Sequence, residues 1–211
     1  MVIETMNIHR ALAEKKLIDD KIDKIINNTE FVSYHVVGNE KVHGIPTEQF
    51  ISEAKSKLDA TRDMFARRDA LNRGIQISNA TTRVTIMGKQ YTVAEAIWMH
   101  QYGMKMIDDL KYIISEQYQQ AVAKVDKYNQ LIESQADTFV QNIYNNDSKS
   151  DSDMIAKTRK DYIEARKMEL VDPIHATNVI EKLTDYIQSF LAEVNTTLST
   201  SNATTEITIK Y

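Results

Sequence analysis

Apolar residues recur at threes and fours through most of the chain and at twos in a few short stretches. That pattern predicts long amphipathic helices interrupted by small β elements. The first helix is expected over residues 5–27, where Ile8, Ala11, Leu12, Ile18, Ile22, Ile25 and Ile26 share one face. Thr5 is its expected N-cap and Asn27-Asn28 its end. Residues 29–45 then turn to β-formers, Phe31, Val32, Tyr34, Val36 and Val37, with a turn at Gly38-Asn39, and read as a short strand or hairpin. Pro46-Thr47 opens a second helix, expected over 47–77, with an apolar stripe through Phe50, Ala54, Leu58, Thr61, Phe65, Leu71 and Ile75.

Residues 82–87 alternate as a strand, Gly88-Lys89 turns, and 90–92 return. Thr92 and Glu95 have the spacing of a capping box, so this hairpin over 82–92 feeds straight into a third helix. That helix is expected from 93 to 144, about 50 residues and about 75 Å if unbroken, which predicts a bend or an elongated molecule. Val93, His100, Ile107, Ile114, Ala121 and Tyr128 form one heptad row. Ile97, Met104, Lys111, Tyr118, Val125 and Ile132 form the next. A second stripe, Met99, Met106, Leu110, Ile113 and Leu131, broadens the apolar face beyond what one partner helix covers. Residues 145–153 are a polar loop. Residues 154–171 mix helical and extended signals, and a last helix is expected over 177–198.

One stretch is written twice. Ser78-Asn79-Ala80-Thr81-Thr82 precedes Arg83-Val84-Thr85-Ile86, and Ser201-Asn202-Ala203-Thr204-Thr205 precedes Glu206-Ile207-Thr208-Ile209. Each copy reads as a helix, then a polar turn, then a short strand. A lone strand is marginal in water. The two strands are therefore expected to pair with each other or with the 90–92 return, bringing both helix exits to one end. The fold class is mainly α: an elongated antiparallel helical bundle or coiled coil with a small β element at one end. One domain is expected, with a helical body over 1–144, the polar loop at 145–153, and 154–211 completing it.

Composition narrows the chemistry. The 211 residues carry a net charge of −4, which provides no basic field for nucleic acid. The cations of the second helix, Arg62, Arg67, Arg68 and Arg73 among them, are interleaved with Glu53, Asp59, Asp63 and Asp69 and read as a solvated face. Cysteine is absent, which excludes disulfides, thiolate metal sites and a Cys nucleophile. No phosphate-binding loop, dinucleotide fingerprint, nucleophile elbow or HExxH occurs. The five histidines are dispersed. His35 and His43 flank one expected hairpin, but two ligands do not make a metal site. Asp147, Asp151 and Asp153 lack the glycine and terminal glutamate of a calcium loop. Three Asn-x-Thr matches, at Asn79, Asn195 and Asn202, read as accidental, because residues 1–6 show no secretion signal. No cofactor or metal is expected, and no catalysis. Trp98, His100, Met104, Ile107 and Tyr118 are the candidate interface residues, as the sole Trp and the apolar rows of the third helix.

Three blocks carry a likeness: Ala11 to Lys16; Arg68 through the first SNATT copy and the Gly88-Lys89 hairpin to Ile97; and Val179 to Thr205. Together they cover about half the chain, and on them it resembles the septicolysin-like family of helical bacterial and phage proteins. The resemblance implies a mainly helical, oligomer-forming protein, an extended segment over 162–171, and a pore-forming label attached to some members. The expected function is a non-enzymatic structural or assembly protein, a phage or prophage virion component acting as an oligomer. Its expected partners are further copies or other virion proteins, and its expected setting the virion or host cytoplasm. A septicolysin-like pore-forming cytolysin, with a membrane as partner, is the alternative.

Overall fold

A computed structural model describes residues 2–144 and 152–211. The fold is mainly α, with three small antiparallel strand pairs among the described residues. The chain divides into two compact units. One holds Met1–Gln101 with Ser189–Tyr211, the other Tyr102–Gln188.

The first unit begins with β1 (Ile3–Asn7) and α1 (Ile8–Asn28). The helix expected from residue 5 therefore starts later. Its N-cap is Asn7, whose side chain accepts the Arg10 N–H at 2.9 Å, rather than Thr5. Residues 3–7 are claimed instead by a strand partner at the far end of the chain, and no local window shows that partner. The expected 29–45 hairpin shrinks to β2 (Lys41–Val42) and β3 (Ile45–Pro46). Val32, Tyr34, Val36 and Val37 lie exposed ahead of it, in no strand. α2 (Thr47–Thr81) follows, then β4 (Arg83–Ile86), β5 (Lys89–Thr92) and α3 (Val93–Trp98). The β4–β5 hairpin and the Thr92–Glu95 capping box form as the sequence predicts. Met87 and Gly88 turn the hairpin with φ of 51° and 73°, the paired positive values of a tight turn that matches strand twist.

The SNATT stretches are not turns. Ser78 to Thr81 closes α2, and Ser201 to Thr204 closes α6 (Ala176–Thr204), which leads into β6 (Glu206–Lys210). Thr81 Oγ1 donates back to Ile77 O at 2.9 Å and Thr204 Oγ1 to Thr200 O at 2.9 Å. These bonds satisfy the threonine hydroxyls inside the last turn, so the polar residues continue the helix. The next threonine ends it in both copies: Thr82 N–H reaches Ser78 O at 2.8 Å and Thr205 N–H reaches Ser201 O at 2.9 Å.

The likeness extends through the strands. β4 pairs with β5, and β6 pairs with β1, in the same relative register: Val84↔Tyr91 corresponds to Ile207↔Met6, and Arg83↔Thr92 to Glu206↔Asn7. The carbonyl of Thr82 accepts the N–H of Val93 at 2.9 Å, and that of Thr205 accepts the N–H of Ile8 at 3.0 Å. Ile8 and Val93, Ala11 and Ala96, Leu71 and Val194 are buried at matching places. So one architecture, helix exit, strand pair, capped helix entry, is built twice. Both exits border one open groove of about 370 Å³, lined by Thr82, Arg83, Thr200, Thr204 and Thr205 among others. The two strands that follow them do not pair with each other. β6 belongs instead to the α1–α2 core, where Ile207 and Ile209 join Met6, Ile8, Leu71 and Ile75.

Gly74 makes room for that strand. A Cβ there would stand 3.1 Å from Ile207 Cδ1 and 3.3 Å from Ile209 Cγ2. Gly74→Ala is expected to be near neutral, since about 1 kcal/mol of helix propensity offsets a contact that a flexible methyl can relieve. Gly74→Val is expected to cost about 1–3 kcal/mol by overpacking. Urea unfolding followed by Trp98 fluorescence measures both. A valine variant as stable as the parent would contradict this close approach.

The second unit contains α4 (Met104–Tyr144), α5 (Ser152–Glu164) and the first part of α6. The single helix expected over 93–144 is interrupted by a π-helical turn over Met99–Gly103. α5 packs on α4 through the Phe139 and Tyr162 rings, 4.8 Å between centroids, and through an Arg159 Nε–Asp137 Oδ1 pair at 2.6 Å. The extended segment that the resemblance implies over 162–171 does not form as a strand, for α5 runs through Glu164. Beyond it, the Asn129 side chain takes a strand's place. Its Nδ2 donates to Met168 O at 2.9 Å and its Oδ1 accepts Met168 N–H at 2.7 Å. Most of the 145–153 loop, with Asp147 and Asp151, lies outside the described residues, and Asp153 falls in the first turn of α5.

Candidate interaction surface

α4 is amphipathic, yet in its 41 residues only Met104, Ile132 and Ala136 are buried. Its apolar positions fall into two groups. Ile107, Ile114, Tyr118, Ala121 and Val125 are half-buried and share a face with the three buried residues, the face of the expected heptad rows. Tyr102, Met106, Leu110 and Ile113, spaced by fours and a three, are 57%, 65%, 54% and 46% exposed. Spacing of that kind places Met106, Leu110 and Ile113 on one side of α4, and Tyr102 stands in the π-helical turn that precedes it. Leu131 is exposed farther along.

The candidate interface residues divide accordingly. Met104 is buried within the chain, at 3% exposure, and offers no free surface. Ile107 and Tyr118 lie on the covered face. Tyr118 lines an open groove of about 300 Å³ with Ile114, Ala121, Leu170, Val171 and Pro173. His100 sits half-buried in the π-helical turn. Trp98, in the first unit, is 52% exposed and borders a groove of about 290 Å³ with Lys89, Tyr91, Glu95 and Met99. The free apolar side of α4 is thus the second stripe, extended by Tyr102, which a strict heptad count misses. Summing positions at 3.6 residues per turn finds it.

Two ionic arrangements set the strand pair and the helices of the first unit. Arg67 on α2 donates from Nη1 and Nη2 to the two carboxylate oxygens of Glu4 on β1, at 3.0 and 2.8 Å, and from Nε to Glu14 on α1. Its guanidinium lies 4.7 Å over the Tyr211 ring, whose hydroxyl donates to Glu4 at 3.1 Å. Arg68 pairs with Asp19 of α1. So two cations of the supposed solvated face hold α1 and β1. The Arg67 hydrogen bonds pull the Glu4 carboxyl below its ordinary value, and Arg68 does the same to Asp19.

A carboxylate whose folded pKa is depressed stabilises fully above its unfolded value. That contribution is lost as pH falls through the lower folded value. The β1–β6 pair is therefore expected to loosen progressively below about pH 4.3. Hydrogen exchange at Met6 and Ile207 measures it. Glu4→Gln with Asp19→Asn should flatten that acid dependence, and an unchanged dependence would show that other groups control it.

His43 contacts Glu30 at 3.1 Å and Ser33 at 3.1 Å, while His35 Nδ1 bonds the backbone oxygens of Val36 and Asn39. Among the described residues, no group of three or more His, Cys, Asp or Glu is placed to hold a metal ion. Also among them, no helix is long and apolar enough to cross a membrane. Comparison with protein-family models, with curated proteins and with solved structures finds no match to this chain.

Proposed function

We propose that this protein is a non-enzymatic assembly protein that works as an oligomer, and that the assembly it serves is a phage or prophage virion. The observation that carries the oligomer is the free apolar side of α4. Met106, Leu110 and Ile113 stand exposed on a regular helix, with Tyr102 exposed in the turn before it, where a helix of another copy or of a partner protein can cover them. Burial of such side chains is the main favourable term in association. The virion setting rests on the resemblance to septicolysin-like chains of phage genomes. Mass photometry and size-exclusion light scattering of the purified chain test the oligomer, and a monomer at tens of micromolar would overturn it.

The same side of α4 supports the second reading, a cytolysin that lays an amphipathic helix on a membrane. Dye leakage from liposomes across pH and lipid composition separates the two. Leakage that Met106→Glu abolishes would favour the cytolysin, and none under any condition would remove it.

A further inference from the structure

In the first unit, residues 29–36 follow α1 and take no helix, turn or strand pairing. Val32, Tyr34, Val36 and Val37 stand 84%, 83%, 73% and 96% exposed, more than any other large apolar side chain described in that unit. Phe31 and Ser33, at the alternate positions, are half-buried. Exposure from Phe31 to Tyr34 thus alternates with the period of two that belongs to a strand. Side chains, not a ladder, hold the stretch in place. His43 Nε2 lies 3.1 Å from Ser33 Oγ and 3.1 Å from Glu30 Oε2. Val36 O accepts the Asn39 N–H at 2.8 Å across a turn with Gly38 at φ 87°. The His35 ring donates from Nδ1 to the carbonyls of Val36 and Asn39, at 3.2 and 3.0 Å. Among the described residues, no hydrogen bond reaches the backbone N–H or C=O groups of Phe31 to His35.

We propose that Phe31 to Val36 is an unpaired strand that adds to the sheet edge of a different protein, one whose facing strand is uncharged and apolar and carries Lys or Arg at its ends. The open backbone favours a polypeptide over a lipid surface. Hydrocarbon cannot bond bare N–H and C=O groups, whereas a neighbouring strand bonds them in a ladder. The β-branched and aromatic residues of the stretch suit that ladder. The charge pattern selects the polypeptide. The nine residues Phe31 to Asn39 include no Lys, Arg, Asp or Glu, so a charge within the partner's facing strand would be buried unpaired. Glu30 and Glu40 are the first charges on either side. A parallel copy of this stretch would set each beside its twin, and an antiparallel copy would bring Glu30 toward Glu40, which disfavours self-pairing. Basic ends on the partner would complement both. The two histidines already hold the stretch, so strand addition costs less ordering than it would for a free segment. The surface uses no residue of α4, so it names a second kind of partner rather than another contact between copies.

The probe is a capped peptide of alternating threonine and valine with a lysine at each end, titrated into the full chain. Amide hydrogen exchange over residues 31–35 is expected to slow by roughly tenfold or more at saturation. The same peptide with a glutamate at each end should bind more weakly at low salt, and the gap should narrow as salt rises. Tyr34→Asp sets a charge within the strand and should weaken the lysine-ended peptide by roughly tenfold or more. Tyr34 is almost wholly in water, so the helical content of that variant should equal the parent's. Unchanged exchange over 31–35 at millimolar peptide would overturn the proposal, and so would equal binding of the two peptides at low salt. Slowing that grows with protein concentration alone, without peptide, would assign the edge to a second copy and overturn it too. Partition onto neutral phosphatidylcholine vesicles that Tyr34→Asp abolishes would make a lipid surface the occupant, with the same consequence. Light scattering of the parent tests the assembly reading separately, so either reading can fail alone.

Discussion

Phe190→Ala is expected to lower the stability of the first unit by about 3–5 kcal/mol. Phe190 heads the fully buried side chains by volume, at 0% exposure. Its ring meets Tyr91 nearly perpendicular, at 80°, a geometry that contributes about 0.5–1.5 kcal/mol beyond area burial. The substitution leaves a void under the β4–β5 hairpin, which a two-residue turn and four cross-strand pairs cannot fill by collapsing. Phe190→Leu keeps most of the volume and should cost clearly less, about 1.5 kcal/mol or below. Trp98, the only tryptophan, stands in α3 directly after that hairpin, so its fluorescence during urea unfolding reports on the affected core. A loss under about 1 kcal/mol for the alanine variant would mean that the hairpin is not held to α6 through this ring.

The double substitution Met106→Glu with Leu110→Glu is expected to dissociate the assembly without unfolding the chain. Both side chains are more than half exposed in the single chain, and glutamate is a good helix former, so helical content should hold. If a partner helix covers them, each contributes about 1.5–3 kcal/mol through burial. Removing both then weakens association by about two to four orders of magnitude, before any cost of burying two carboxylates. Light scattering should show the parent as an oligomer at micromolar concentration and the variant as a single chain. Met104→Glu is the contrasting case. It should unfold its surroundings rather than dissociate copies, because Met104 is covered within the chain. Oligomers of the double variant with unchanged affinity would place the contact elsewhere.

Much of the architecture is legible in short windows of sequence. Long runs with a period of three to four and only 2 prolines predict the helices. The β4–β5 hairpin is readable because turn and partner are adjacent. The Thr92–Glu95 capping box is readable because its two members are three residues apart. The repeated SNATT stretch correctly announces that two helix exits are alike, since equal residues in equal helical frames form equal bonds. The candidate surface is half legible. The stripe through Met106, Leu110 and Ile113 is visible as an apolar face, but a sequence does not say which of two apolar faces its own chain will cover.

The remaining features depend on partners distant along the chain. Whether Ile3 to Asn7 extends a helix or forms a strand is a close contest locally, and β6 settles it from 203 residues away, as the Thr5–Thr208 bond shows. Thr81 and Thr204 look like turn residues because their side chains compete for backbone bonds in any short peptide. Inside a helix packed through Leu71 or Val194, those hydroxyls bond the preceding turn and the helix runs on. Local chemistry sets periodicity, caps and tight turns, because those energies arise between neighbours within a few residues. Pairing across the fold, and the choice of which apolar face stays in water, arise from burial shared by segments that meet only once the chain has folded.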